Sequence, residues 1–198
     1  MINFILFTLG WKIINDTNEL VFKNESKKWI CNLNASFNSM FIITSICMDL
    51  EYYTNNLYYT IAKSYFFYDL FNHDILTTFW NHHIVSIYAI HLMKLKTGLD
   101  AKYMREILLS FELGNIFLYV AHGILSHRNG NKLVKKNTFK MVIITEFITY
   151  TLFRVVIPSI YLSCLSRSEQ IMLLLFQLAS AIWSIKIFKG VIKLFSKN

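Results

Sequence analysis

The sequence predicts an all-α fold, a polytopic membrane helix bundle of six to seven transmembrane helices. Three observations predict it. Apolar runs recur along all 198 residues, which are 55% hydrophobic. Charged residues make up only 16%, against about a quarter in soluble domains. The runs are longer than barrel strands and lack their strict alternation, so the backbone must be satisfied within helices.

The first run, 2–15, is apolar but short. It has no basic stretch before it and no small-residue cleavage site after it, so a weak span or interfacial anchor is expected, not a removed signal peptide. With the basic loop that follows it forms an N-terminal unit, 1–26, and 27–198 forms the membrane domain proper. Its spans are expected at 33–50, 57–78, 80–94 (short), 103–126, 139–163 and 169–192. Pro158 should bend the sixth of the seven runs. No internal repeat or low-complexity linker divides the chain.

Basic residues set the expected orientation. Segments 16–32 and 127–140 and the tail hold twelve Lys and Arg residues, against five in the loops of the opposite side, with 94–105 the most basic of those. The positive-inside rule then places the C-terminus in the cytosol. The net charge of +8 lies mostly in these loops, where it meets anionic headgroups, and nucleic-acid binding is not expected. Cys31, Cys47 and Cys164 are widely spaced and form no CxxC pair, which supports neither a disulfide framework nor a zinc site. Heavy use of Asn, Lys, Ile, Phe and Tyr reads as the bias of an AT-rich genome, protist or large DNA virus, and says little about chemistry.

Polar residues form stripes on the apolar helices. Tyr65, Asp69, Asn72 and His73 share one face of the third; Glu112, Asn115, Tyr119, His122 and Ser126 share one face of the fifth. Glu146, Tyr150 and Arg154 follow at steps of four on the sixth, and Gln177, Ser180 and Ser184 line the seventh. Turned inward, these faces give a bundle with a polar centre. Ser, Thr and Tyr there also serve as packing glue, and Arg154 suits a structural ion pair with Glu112 or Glu146. His91, His122 and His127 read as bystanders, and Trp29, Trp80 and Trp183 as interface anchors. An ionisable group at membrane depth costs about 2.5–3.5 kcal/mol on insertion scales and persists mainly at sites. Asp69 with His82 and His83 is therefore the leading candidate.

Several short motifs carry a resemblance. Lys28-Trp29 through Ala35-Ser36-Phe37-Asn38, Ser64-Tyr65-Phe66-Phe67-Tyr68-Asp69-Leu70, His82-His83-Ile84-Val85-Ser86, Phe111-Glu112-Leu113-Gly114-Asn115, Phe153-Arg154 and Trp183-Ser184-Ile185-Lys186-Ile187 with Gly190 stand in that order. The chain from about Lys27 to Phe195 resembles the TLC family, which groups translocating-chain-associated membrane proteins, longevity-assurance ceramide synthases and a ceroid-lipofuscinosis protein. Asn38 stands where that family has a histidine, and Ser64 where it has a glycine. The stretch after the paired histidines lacks the histidine-aspartate step of ceramide synthases. The resemblance thus implies the shorter TLC-domain branch, an internal membrane such as the endoplasmic reticulum of a eukaryotic or virus-infected cell, and lipids as partners; it leaves room for a homodimer.

The residues support two principal readings. In the first, the chain is an acyltransferase acting on a sphingoid base or lysolipid, with acyl-CoA as co-substrate and no bound cofactor or metal. His82 or His83 would be the base or nucleophile, Asp69 its orienting carboxylate, and His73, Glu112, Asn115 and Arg154 would bind substrate. In the second, the same centre holds a lipid without chemistry, as a sensor, carrier or regulator of membrane lipid composition. A di-iron hydroxylase is not expected, because Phe79 stands where an HxxHH box needs histidine and the chain has six histidines. No inverted repeat supports a transporter.

Overall fold

The computed structural model describes residues 2–48, 57–72, 77–95, 98–127 and 136–196, and among them every regular element is helical. The helices are α1 (Ile2–Val21), α2 (Lys27–Cys47), α3 (Leu57–Asn72), α4 (Thr77–Lys94), α5 (Gly98–Ser126) and α6 (Lys136–Thr151). A π-helical turn, Leu152–Val156, then leads into α7 (Ile157–Ile160), a 3₁₀ turn (Leu162–Cys164) and the last helix, α8 (Arg167–Phe195).

The expected all-α membrane architecture stands in its coarse form. Among the described residues, four helices are long and apolar enough to cross a membrane: Lys27–Cys47, Leu99–Ser126, Asn137–Cys164 and Arg167–Lys193. At 29 residues, α8 is about 44 Å long, ample for a hydrocarbon core of about 30 Å. α3, with 16 residues, is shorter than the ~20 a span needs, and α1 carries Lys12, Asp16 and Glu19.

Burial is inverted relative to a soluble protein. The outward face of α8 is apolar (Leu174, Leu178, Ile182, Ile185 and Phe188), while Gln177, Ser180 and Ser184 point inward and are buried. The stripes expected on the other helices also turn in: Glu112 and Asn115 on α5, and Glu146, Tyr150 and Arg154 along α6 and the π turn, are all buried. A polar centre with an apolar exterior is what a lipid solvent selects.

α5 is the central element, with α2 packed on one side and α6 on the other. α8 covers α6, α1 lies across α2 and α3, and α4 leans chiefly on α3. The apolar core gathers Ile42, Tyr59, Ala62, Met104, Ile107 and Leu173 from four helices.

Local chemistry fixes the helix ends. Ser26 caps α2, accepting from the Trp29 amide at 3.1 Å, and donates through the same hydroxyl to the Ser126 carbonyl at 3.0 Å, which ties the start of α2 to the end of α5. Glu25 and His127 meet at 3.2 Å at the same corner. Ser166 and Glu169 form a capping box at the start of α8: Glu169 Oε2 accepts from the Ser166 amide at 2.8 Å and from its hydroxyl at 2.7 Å.

α1 is fastened by amides. Asn34 Nδ2 donates to Asn15 Oδ1 at 2.8 Å, and Asn18 Nδ2 donates to Asn34 Oδ1 at 2.7 Å. Trp11 Nε1 donates to the Ile61 carbonyl at 3.3 Å and packs edge-on against Tyr65. Replacing Asn34 removes both inter-helix amide bonds at once. Asn34→Ala should lower unfolding stability by about 1–2 kcal/mol in detergent titrations and expose the α1–α2 turn to protease before the rest of the chain.

Candidate functional site

The candidate residues fall into two neighbouring clusters. The first joins α3 and α4. His83 Nε2 lies 2.6 Å from Asp69 Oδ2, with both side chains largely shielded (9% and 13% exposed). Asp69 sits near the C-terminal end of α3, and His83 two turns into α4, so the pair bridges the helices on either side of the α3–α4 connection. A carboxylate accepts, so Nε2 carries the ring proton in this arrangement, and the basic lone pair belongs to Nδ1. Ser86 follows one turn later on the same face and is also buried.

The second cluster is centred on Arg154, whose Nη1 donates to Asn115 Oδ1 at 2.6 Å. Asn115 Nδ2 in turn donates to Glu112 Oε2 at 3.4 Å, and the Ser39 hydroxyl from α2 donates to the same carboxylate oxygen. The guanidinium also stands over the faces of Phe111 and Tyr150, at 5.1 and 5.3 Å from the ring centroids. Arg154 thus joins the π turn to α5 and α6 directly, and to α2 through Asn115, Glu112 and Ser39. The expected ion pair takes a different form: no salt bridge joins Arg154 to Glu112 or Glu146 among the described residues, and Asn115 relays the contact to Glu112 instead.

Two sequence features make this placement possible. Pro158 has no N–H, so the ordinary hydrogen-bond pattern cannot run through the preceding turn. The chain answers with the π turn that contains Arg154. The Val155 carbonyl in that turn accepts from Ser159 Oγ at 2.7 Å and from Gln177 Nε2 of α8 at 3.0 Å. The second feature is Gly114. A Cβ there would stand 2.7 Å from Arg154 Cγ and 3.4 Å from Phe153 Cβ, so the arginine stem lies where a side chain would be.

A cavity of about 60 Å³ sits beside the second cluster, room for only a few water molecules. Arg154, Asn115, Glu112, Tyr119, Ser86 and Glu169 supply its polar lining. The His83–Asp69 pair does not line it. Phe66 does, and its ring packs 5.5 Å from the His83 ring, so it touches both the imidazole and the cavity. Tyr65 and Tyr119 are close enough to feel the charges of both Asp69 and Glu112, so the clusters are electrostatic neighbours.

Of the residues singled out from sequence, the structure brings together Asp69 with His83, and Glu112 with Asn115 and Arg154. The side chain of His82 and the whole of His73 lie outside the described residues. His91 is exposed, and His127 is engaged with Glu25. Sequence reasoning missed Ser39, which has no signal beyond its helical register, and Glu169, which the Ser166-x-x-Glu169 pattern before an apolar run could have revealed. Among the described residues no group of three or more His, Cys, Asp or Glu side chains gathers as a metal site.

The Gly114 contact gives a direct test. Gly114→Ala should destabilise the protein by about 1–3 kcal/mol by displacing Arg154. In an Arg154→Ala background the same change should cost close to nothing, and a double-mutant cycle in detergent measures that coupling.

No family model, curated protein or solved structure matches this chain.

Proposed function

We propose that this chain is a lipid-handling membrane protein of the TLC type, and that His83 acts as a general base in acyl transfer. The observation that carries the reading is the buried contact between His83 Nε2 and Asp69 Oδ2 at 2.6 Å. A carboxylate on one imidazole nitrogen raises the basicity of the other and stabilises the cation that forms when it takes a proton. His83 Nδ1 would deprotonate the hydroxyl or amine of a lysolipid or sphingoid base as it attacks the thioester carbon of acyl-CoA. The thiolate leaves and the proton ends on the leaving sulfur. His82 stands beside it in sequence as the second imidazole of the pair. In this reading α1, α3 and α4 join the four long helices in a bundle of six to seven spans, in the endoplasmic reticulum, with the C-terminus in the cytosol.

A second reading has its own observation. Glu112, Asn115 and Arg154 line the cavity and the His83–Asp69 pair does not, which suits a site that holds a headgroup without reacting with it. His73, the fourth substrate contact expected from the sequence, lies outside the described residues.

One experiment separates the two. The protein in nanodiscs is given acyl-CoA and sphingoid or lysolipid acceptors, alongside lipidomics of cells expressing each variant. Acyl transfer predicts that His83→Ala and Asp69→Asn each lower the rate by about 10²–10⁴-fold with helix content unchanged. Identical rates and lipid profiles in wild type and His83→Ala would reject the base and leave the binding reading.

A further inference from the structure

Arg154, which lines the central cavity, carries a donor without a partner among the described residues. Arg154 is more than nine-tenths buried, its Nη1 is taken by Asn115, and its Nε has no hydrogen-bond partner among the described residues. Burying a charged donor without a partner is costly, so the site is built for an acceptor. Nε and Nη2 form one edge of the guanidinium plane, the fork that matches both oxygens of a carboxylate.

The surroundings narrow the ligand. Beyond the polar end, the cavity walls are hydrocarbon and aromatic, with Phe66, Ile90, Met104, Leu173 and Phe176 among them. The ligand is therefore an amphiphile with a small head. Glu112 and Glu169 line the same cavity, so two carboxylates against one guanidinium would repel a dianionic phosphate about twice as strongly as a monoanion. About 60 Å³ accommodates the head and the first carbons only. For the remaining chain we infer a route beside α4: its Ser86, Ala89 and Ile90 form one wall, and among the described residues α4 meets α5 only lightly.

We propose that Arg154 binds the carboxylate of a long-chain fatty acid, whose tail leaves the cavity past α4 into the bilayer. The assignment rests on the lipid-handling reading above and not on acyl transfer. Its test uses neither acyl donor nor acceptor, so binding and chemistry succeed or fail separately.

The test uses the full chain in phosphatidylcholine nanodiscs and a fatty acid bearing a photoreactive diazirine. Saturable labelling of peptides from α4, α5 or α8 is expected, competed by palmitate and not by methyl palmitate, which lacks the anionic head. This comparison needs only wild-type protein. Arg154→Gln should weaken labelling by about tenfold or more. Ala89→Phe, which fills the cavity and leaves the guanidinium in place, should abolish it. Labelling that does not saturate, equal competition by the methyl ester, stronger competition by dodecyl phosphate than by laurate, or wild-type labelling in Arg154→Gln would each overturn the assignment.

Discussion

A guanidinium keeps its charge at any physiological pH, so one placed at membrane depth must be supplied with partners by the helices around it. In this chain the partners come from several directions. Gly114 has no side chain, so the stem of Arg154 can lie against α5. Asn115 accepts from the head, Glu112 supplies the opposite charge one hydrogen bond further on, and Ser39 holds Glu112 from α2. Phe111 and Tyr150 present their ring faces to the cation. The π turn, with its Val155 carbonyl satisfied by Ser159 and Gln177, aims the whole side chain. The relative positions of α2, α5, α6 and α8 are all conditioned by this one charge.

Much of the fold was legible in the sequence, because lipid makes hydropathy and helical periodicity unusually direct signals. The boundaries expected for the fifth and seventh runs fall within α5 and α8. The inward stripes were legible for the same reason: Glu146, Tyr150 and Arg154 at steps of four could share only one face. Lateral neighbours were not legible. Nothing in the sequence says that Ser39 of α2 meets Glu112 of α5, or that Asn115 intervenes where an ion pair with Arg154 was expected. Such contacts depend on helix rotation and crossing, which packing sets and composition does not encode. The π turn was foreshadowed only as a bend at Pro158; that the accommodation lies upstream, at Leu152–Val156, follows from which carbonyls lose their donor.

The two polar clusters divide labour by position. His83 and Asp69 join two adjacent helices and stand apart from the cavity, whereas the Arg154 cluster joins helices distant in sequence and opens into it. Phe66 touches both the imidazole and the cavity. Ser86, one turn from His83 and lining the cavity, is the nearest polar link along α4.

The asparagine clasp between α1 and α2 bears on how the first two helices fold. On its own, α1 would leave Asn15 and Asn18 without their inter-helix partner, beside Lys12, Asp16 and Glu19. Asn34 removes part of that burden only once α2 is alongside. Folding of these two helices is therefore cooperative: α1 completes its polar pairing only as one arm of a hairpin with α2.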